Sequence, residues 1–132
     1  MNIPFLCCLM TVRSVFLPYN LETVLAEKIE TVLSRSIANT RSRDFYDIHI
    51  LYALYGVECN AKTLLQALER TANKRGSQKV LETYPDILTE IRKSEQLRGF
   101  WKKYQHDYEY ATDISFDDAC DTVQHIMDSI ME

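Results

Sequence analysis

One lysine and two aspartates form the constellation with which this sequence could do chemistry. Lys28 falls within the apolar face of a predicted helix, where a solvated ammonium is not expected. Asp44 and Asp47 are three residues apart, so they share a face of the next predicted helix. A buried ammonium needs an anion, because losing water without compensation costs several kcal/mol. These side chains therefore form either a buried ion pair that fixes the helix register or a functional site.

The helix that carries the lysine is predicted at about residues 21–35. Its apolar residues recur at the 3.6-residue period of one helix face, which comprises Leu21, Val24, Leu25, Ile29, Val32 and Leu33. The aspartates belong to a second predicted helix of about residues 43–55, which stops at Gly56. This second helix is apolar on nearly every side, so we expect it to be central in a bundle.

Further helices follow along the chain. Asn60 is a candidate cap for a third helix, which Gly76 ends. Two short helices are predicted on either side of Pro85, because proline interrupts a helix interior. An aromatic stripe, more typical of a core than of a base-stacking surface, leads to a last helix with a capping box at Ser115 and Asp118.

The N-terminal segment has a different character. Residues 3–17 are rich in β-branched and aromatic side chains, which predicts one or two short β-strands before Pro18. Two strands cannot form a stable sheet alone, so this segment needs the helices or a partner to cover it. We therefore expect a mainly α fold, a bundle of about five to six helices over residues 19–132, with a strand-like remnant at residues 1–18.

Composition restricts the class of protein. A chain of 132 residues with 46% hydrophobic and 26% charged residues is typical of one soluble domain. Its net charge of -4 argues against a generic nucleic-acid binder, although the part before Asp107 is mildly basic. No segment is long enough to span a membrane. The four cysteines (Cys7, Cys8, Cys59 and Cys120) lack metal-ligand spacing, and free thiols favour a cytoplasmic location.

Two short motifs resemble a known family. The sequence AEK at residues 26–28, followed by RDFYD at residues 43–47, resembles the AbiEii-type nucleotidyltransferases, toxins of abortive-infection (type IV toxin–antitoxin) systems that act in phage defence. The resemblance extends from about Val15 onward. It includes three later features, namely Leu68, Thr71 and Arg75; Trp101 with Tyr104; and the run Ile114, Ser115 and Phe116.

The resemblance implies roles for individual residues. Lys28 would be a ligand of the nucleoside triphosphate, and Arg43 would stabilise phosphate charge or pair with Asp47. Asp44 would be an acid/base or orienting carboxylate, with Asp47 beside it. Nucleotidyl transfer needs these types, because positive charge stabilises the phosphate oxygens and carboxylates hold Mg²⁺ or the attacking hydroxyl.

The sequence also departs from the family pattern. Family members carry an N-terminal half with a Gly-Ser turn that grips phosphate and a strand with two metal-binding carboxylates. The only glycines of this sequence are Gly56, Gly76 and Gly99, and none of them lies in a loop that leads off a predicted strand. No acidic residue precedes Glu22. We therefore expect the C-terminal helical half of such an enzyme, a truncated form or one half of a split enzyme. Such a chain would bind neither NTP nor Mg²⁺ by itself and would be inactive alone. Its expected partners are the missing half or a second copy, with RNA and a cognate antitoxin as further candidates.

Two alternatives remain open. Arg43 and His49 resemble the R-x(4–6)-H signature of HEPN ribonucleases, in which arginine would stabilise the scissile phosphate and histidine would act in acid/base cleavage. The other alternative is a non-enzymatic interaction module. Its strand-like N-terminus and uncovered core would associate with a partner.

Overall fold

Six α-helices make up the described part of the chain. The computed structural model describes residues 21–38 and 41–131, so the predicted strands at residues 1–18 lie outside it. The helices are α1 (Leu21–Arg35), α2 (Ser42–Tyr55), α3 (Ala61–Arg75), α4 (Val80–Lys93), α5 (Glu95–Asp107) and α6 (Phe116–Met131). Short 3₁₀ turns follow at Ser36–Ala38, Gly56–Glu58 and Glu109–Ala111. The prediction of five to six helices is confirmed.

The predicted caps determine where several helices begin and end. Asn60 accepts a hydrogen bond from the Thr63 amide at the start of α3, and Gly76 ends this helix in the left-handed conformation, with φ of 73°. Ser115 and Asp118 bond each other's backbone amides reciprocally, which confirms the capping box before α6. These local signals depend on neighbouring residues only, so they are readable from the sequence.

The prediction of a helix break at Pro85 is wrong. Helix α4 runs without interruption from Val80 to Lys93 and contains this proline. The φ that proline imposes is compatible with a helix, and its cost is one missing amide bond near the first turn. Burial of Leu88 and Ile91 in the common core offsets that cost.

Helix α1 is the most enclosed element. It packs against α2, α3 and α4, and its Leu25, Ile29 and Val32 are fully buried. Helix α2 packs against α1 and α6 and buries Phe45 and Ile48. The second half of α2 is less enclosed than predicted, because it packs through one side only. The α1–α2 contact nevertheless brings the lysine and aspartate segments together.

The aromatic stripe of α5 contributes to the core as predicted. Trp101 and Tyr104 are both buried, and the Trp101 indole donates a hydrogen bond of 3.0 Å to the Ile114 carbonyl. This bond ties α5 to the segment before α6. The stripe also places the tyrosines that follow it beside the first turns of α2.

Candidate functional site

The pairing between Lys28 and the aspartate helix is present. The Lys28 ammonium lies 2.9 Å from Oδ2 of Asp47, across the contact between α1 and α2. The Asp47 side chain is 9% exposed, whereas the Lys28 side chain is 28% exposed. The lysine is thus half-buried rather than enclosed. Its ammonium has a buried carboxylate on one side and access to solvent on the other.

Two arginines at the start of α2 each pair with one of the two aspartates. The guanidinium of Arg43 lies 3.6 Å from the same Oδ2 of Asp47, one helical turn away. Arg41 lies 3.7 Å from Oδ1 of Asp44. Both arginine side chains are mostly exposed, whereas both carboxylates are buried. The cluster is therefore layered, with two anions on the inside and three cations towards the surface.

Each aspartate leaves one carboxylate oxygen without a hydrogen-bond partner. Oδ2 of Asp44 and Oδ1 of Asp47 are buried and accept no bond from the residues that the structure describes. An unsatisfied buried acceptor costs about 1–3 kcal/mol. Native proteins rarely retain such groups without a reason, and a functional site is one of the recognised reasons. The two oxygens are therefore unused hydrogen-bond acceptors enclosed behind the cations.

Comparison with known protein families matches residues 14–122 to the description "Nucleotidyl transferase AbiEii toxin, Type IV TA system". The match covers most of the chain and includes the whole cluster. The chain belongs to the AbiEii family. Searches of curated proteins and of solved structures gave no match. The resemblance recognised in the AEK and RDFYD motifs is thereby confirmed at the level of the family.

Within this AbiEii domain, the site residues predicted from the sequence meet in two groups. Lys28, Arg43 and Asp47 share one carboxylate oxygen and form the first group. Asp44 does not contact Lys28 and instead pairs with Arg41, which the sequence analysis did not single out. Arg41 could have been predicted from its position three residues before Asp44, because residues at this spacing at the start of a helix can pair.

The sequence analysis also missed the buried carboxylate of Glu30. Glu30 is 2% exposed and accepts hydrogen bonds from the Arg75 guanidinium and, at 2.7 Å, from the Ser77 hydroxyl. Arg75 thus has a specific partner in addition to its place near the C-terminus of α3. The signal was again an ionisable residue within the buried side of α1. Because Glu30 is fully partnered, this cluster ties α3 to α1 and offers no open acceptor.

The described residues of the site do not form a metal centre by themselves. Among residues 21–38 and 41–131, no group of three or more histidine, cysteine or acidic side chains could hold an ion. The two cysteines in this range, Cys59 and Cys120, are free thiols, and burial is the main cause that raises the pKa of both. The orphan oxygens of Asp44 and Asp47 could at most complete a cation site whose other ligands come from elsewhere.

The histidine of the ribonuclease alternative faces another part of the molecule. His49 Nδ1 lies 2.7 Å from the Thr122 hydroxyl on α6, whereas Arg43 faces Asp47. Arg43 and His49 are six positions apart on α2, which is not a whole number of helical turns, so their side chains lie on different sides of the helix. The described structure therefore gives no support to joint action of Arg43 and His49 on one phosphate.

Burial of His49 predicts a pH dependence of stability. Desolvation lowers the pKa of His49 below its ordinary value of 6.5, although nearby Asp118 opposes the shift. The unfolded chain therefore binds more protons in the window just below that value, so the free energy of unfolding falls as the pH drops through it. We expect His49→Gln to flatten this fall between pH 7 and pH 5 in urea titrations. The exposed His106→Gln is the control, and equal slopes for wild type and His49→Gln would contradict the prediction.

None of the helices in the described part of the chain is long and apolar enough to cross a bilayer.

Proposed function

We propose that this AbiEii domain supplies the helical side of a nucleotidyltransferase site, in which Lys28 and Arg43 bind the phosphates of a nucleoside triphosphate. The observation that carries the proposal is the layered cluster. The half-buried Lys28 and the exposed Arg43 share one oxygen of Asp47, while the other oxygen of that carboxylate is buried without a partner among the described residues.

The layering suits an anion that arrives from solvent. The Lys28 ammonium keeps Asp47 on its inner side, so a phosphate oxygen can bind its outer side without breaking the ion pair. Arg43 has a 61% exposed side chain and presents a guanidinium fork, which matches phosphate geometry. Asp47 therefore holds the two cations at a fixed separation before the nucleotide binds.

The carboxylates have the complementary task. Asp47 and Asp44 are buried behind the cations, where each orphan oxygen can accept a hydrogen bond from a hydroxyl. In nucleotidyl transfer a hydroxyl attacks the α-phosphate and pyrophosphate leaves, so an acceptor for the hydroxyl proton is needed beside the phosphate cations. Asp44, whose cation partner Arg41 lies 3.7 Å away, is the less strongly engaged of the two.

We further propose that the chain is catalytically incomplete. Its Gly76–Ser77 pair ends α3 and does not follow a strand, no acidic residue precedes Glu22, and two aspartates do not constitute a metal site among the described residues. The remaining parts of the site would come from an N-terminal half of the enzyme. A cognate antitoxin fits the type IV toxin–antitoxin family, and RNA is the acceptor that we propose for the transferred nucleotide.

An assay with radiolabelled nucleoside triphosphates tests both parts of the proposal. The sequence alone predicts no nucleotide binding by this chain, but because Lys28 and Arg43 lie side by side on Asp47 we instead propose that it binds ATP weakly. Equilibrium dialysis should show this binding of labelled ATP, and Lys28→Met should weaken it about tenfold, the effect of one charge-assisted hydrogen bond. In the same mixtures with Mg²⁺ and RNA, we expect no covalent transfer. The control is Lys93→Met, at an exposed residue that ends α4. Equal binding by all three proteins would refute the phosphate site, and robust Mg²⁺-dependent labelling would refute incompleteness.

A further inference from the structure

Four tyrosines form a continuous aromatic surface that the proposed phosphate site does not use. This tyrosine wall consists of Tyr46, Tyr104, Tyr108 and Tyr110. The ring centroids of Tyr46 and Tyr110 are 4.8 Å apart, as are those of Tyr104 and Tyr108, and Tyr108 lies 5.4 Å from Tyr110. The wall joins α2 to the C-terminal end of α5 and to the turn that follows.

The wall has a buried inner layer and an accessible outer layer. Tyr46 and Tyr104 are 3% and 9% exposed, whereas Tyr108 is 46% exposed and Tyr110 is partly exposed. The hydroxyls of Tyr104 and Tyr110 are 2.8 Å apart, and the Tyr108 amide donates to the Tyr104 carbonyl. A hydrogen bond thus holds the Tyr110 ring, while Tyr108 is positioned by its backbone bond and by the packing of its ring on Tyr104 and Tyr110. Pre-oriented aromatic rings with an accessible face are well suited to recognition of flat ligands.

The wall adjoins the phosphate site. Tyr46 directly precedes Asp47 on α2 and lies one helical turn after Arg43. Burial is the main cause that raises the pKa of Tyr46 to about 12, with contributions from Tyr110 and Asp47. The charges of Asp47 and Arg43 also act on the Tyr104 and Tyr110 phenols, whose pKa values are raised mainly by burial. The aromatic surface and the cations are therefore neighbours on one side of the domain.

We propose that Tyr108 and Tyr110 stack on the nucleobase of the triphosphate whose phosphates bind Lys28 and Arg43. This inference rests on the proposed function and adds a position for the base. Every base has an aromatic face, so a wall of this kind positions the nucleotide without requiring one base identity.

Ring NMR signals of the full chain, labelled at tyrosine, test the inference with three probes. These are ATP, adenosine and inorganic tripolyphosphate. We expect ATP and adenosine to shift the Tyr108 and Tyr110 signals, because a stacked base adds a ring current, and tripolyphosphate to leave them nearly unchanged. Tyr84 is the internal control. The ring of Phe116, at the start of α6, packs near the wall. Tyr84 instead hydrogen-bonds Asp128, which lies about 18 Å farther along α6.

Two variants extend the test. Tyr108→Ala should weaken ATP binding about tenfold, whereas Tyr108→Phe, which keeps the ring, should bind like wild type. The inference is overturned if ATP binds but shifts the NMR signals of Tyr108 and Tyr110 no more than those of Tyr84. This holds even if tripolyphosphate binding still depends on Lys28. Shifts with adenosine but no tripolyphosphate binding would support the wall and contradict the phosphate site. If no probe shifts the tyrosine signals and tripolyphosphate binding does not depend on Lys28, both proposals are overturned. The titrations of the wild-type chain decide between these outcomes even if Tyr108→Ala misfolds.

Discussion

Phe45→Ala is expected to lower the free energy of unfolding by about 3–5 kcal/mol, the usual cost of removing a buried phenylalanine ring. Phe45 is 1% exposed, and its ring centroid lies 5.3 Å from that of Phe116 on α6. The ring lies between Asp44 and Asp47 in sequence, so it anchors to the core the turn of α2 that carries both carboxylates. A loss of this size is a large part of the 5–15 kcal/mol that stabilises a typical domain.

Urea unfolding measured by circular dichroism checks this expectation. Leu54→Ala is the matched control on the same helix, because Leu54 is 45% exposed and should cost less than about 1 kcal/mol. If Phe45→Ala costs no more than Leu54→Ala, the packing of α2 against α6 described above is incorrect.

Lys28→Met is expected to destabilise the domain by about 2–3 kcal/mol. Removing one partner of a fully buried ion pair costs about 3–5 kcal/mol, because a buried charge is left behind. The cost is smaller here, since Lys28 is 28% exposed and Arg43 lies 3.6 Å from the same oxygen of Asp47. Combining Lys28→Met with Asp47→Leu removes both charges, so the double variant should recover much of the loss.

Urea unfolding of these variants distinguishes the contribution of the ion pair to stability from that of side-chain packing. Lys93→Met, at the exposed end of α4, should change the free energy of unfolding by at most about 1 kcal/mol. A Lys28→Met effect as small as that of Lys93→Met would mean that the ion pair contributes nothing to the fold. A double variant less stable than Lys28→Met would show that Asp47 is held by other interactions.

Much of the site could be predicted from the sequence because it depends on residues that are close together in the chain. Lys28 within an apolar helix face predicted a carboxylate partner, and the three-residue spacing of two aspartates predicted that they share a face. The structure confirms the pairing and assigns it to Asp47. The sequence left the choice between the aspartates open, because it depends on how α1 crosses α2, and that angle is set by packing across the whole core.

The misjudged features depend on tertiary contacts. A proline interrupts an isolated helix, but α4 continues through Pro85 because its later residues are buried against α1 and α6. The sequence likewise did not predict that the four tyrosines of the wall pack together. Tyr46 is far in sequence from Tyr104 and Tyr110, and only the packing of α2 beside α5 joins them. The stripe on α5 was correctly assigned to the core, whereas the exposed ring of Tyr108 lies beyond that helix.

Titration of the chain with inorganic tripolyphosphate, followed by the NMR signals of the lysine side chains, tests the phosphate site most directly. We predict that the Lys28 signals shift and saturate, that Arg43→Gln weakens this binding, and that the signals of the exposed Lys93 barely move. If Lys28 and Lys93 instead shift equally and without saturation, Lys28 and Arg43 are not a phosphate-binding site, and their contact with Asp47 serves the fold alone.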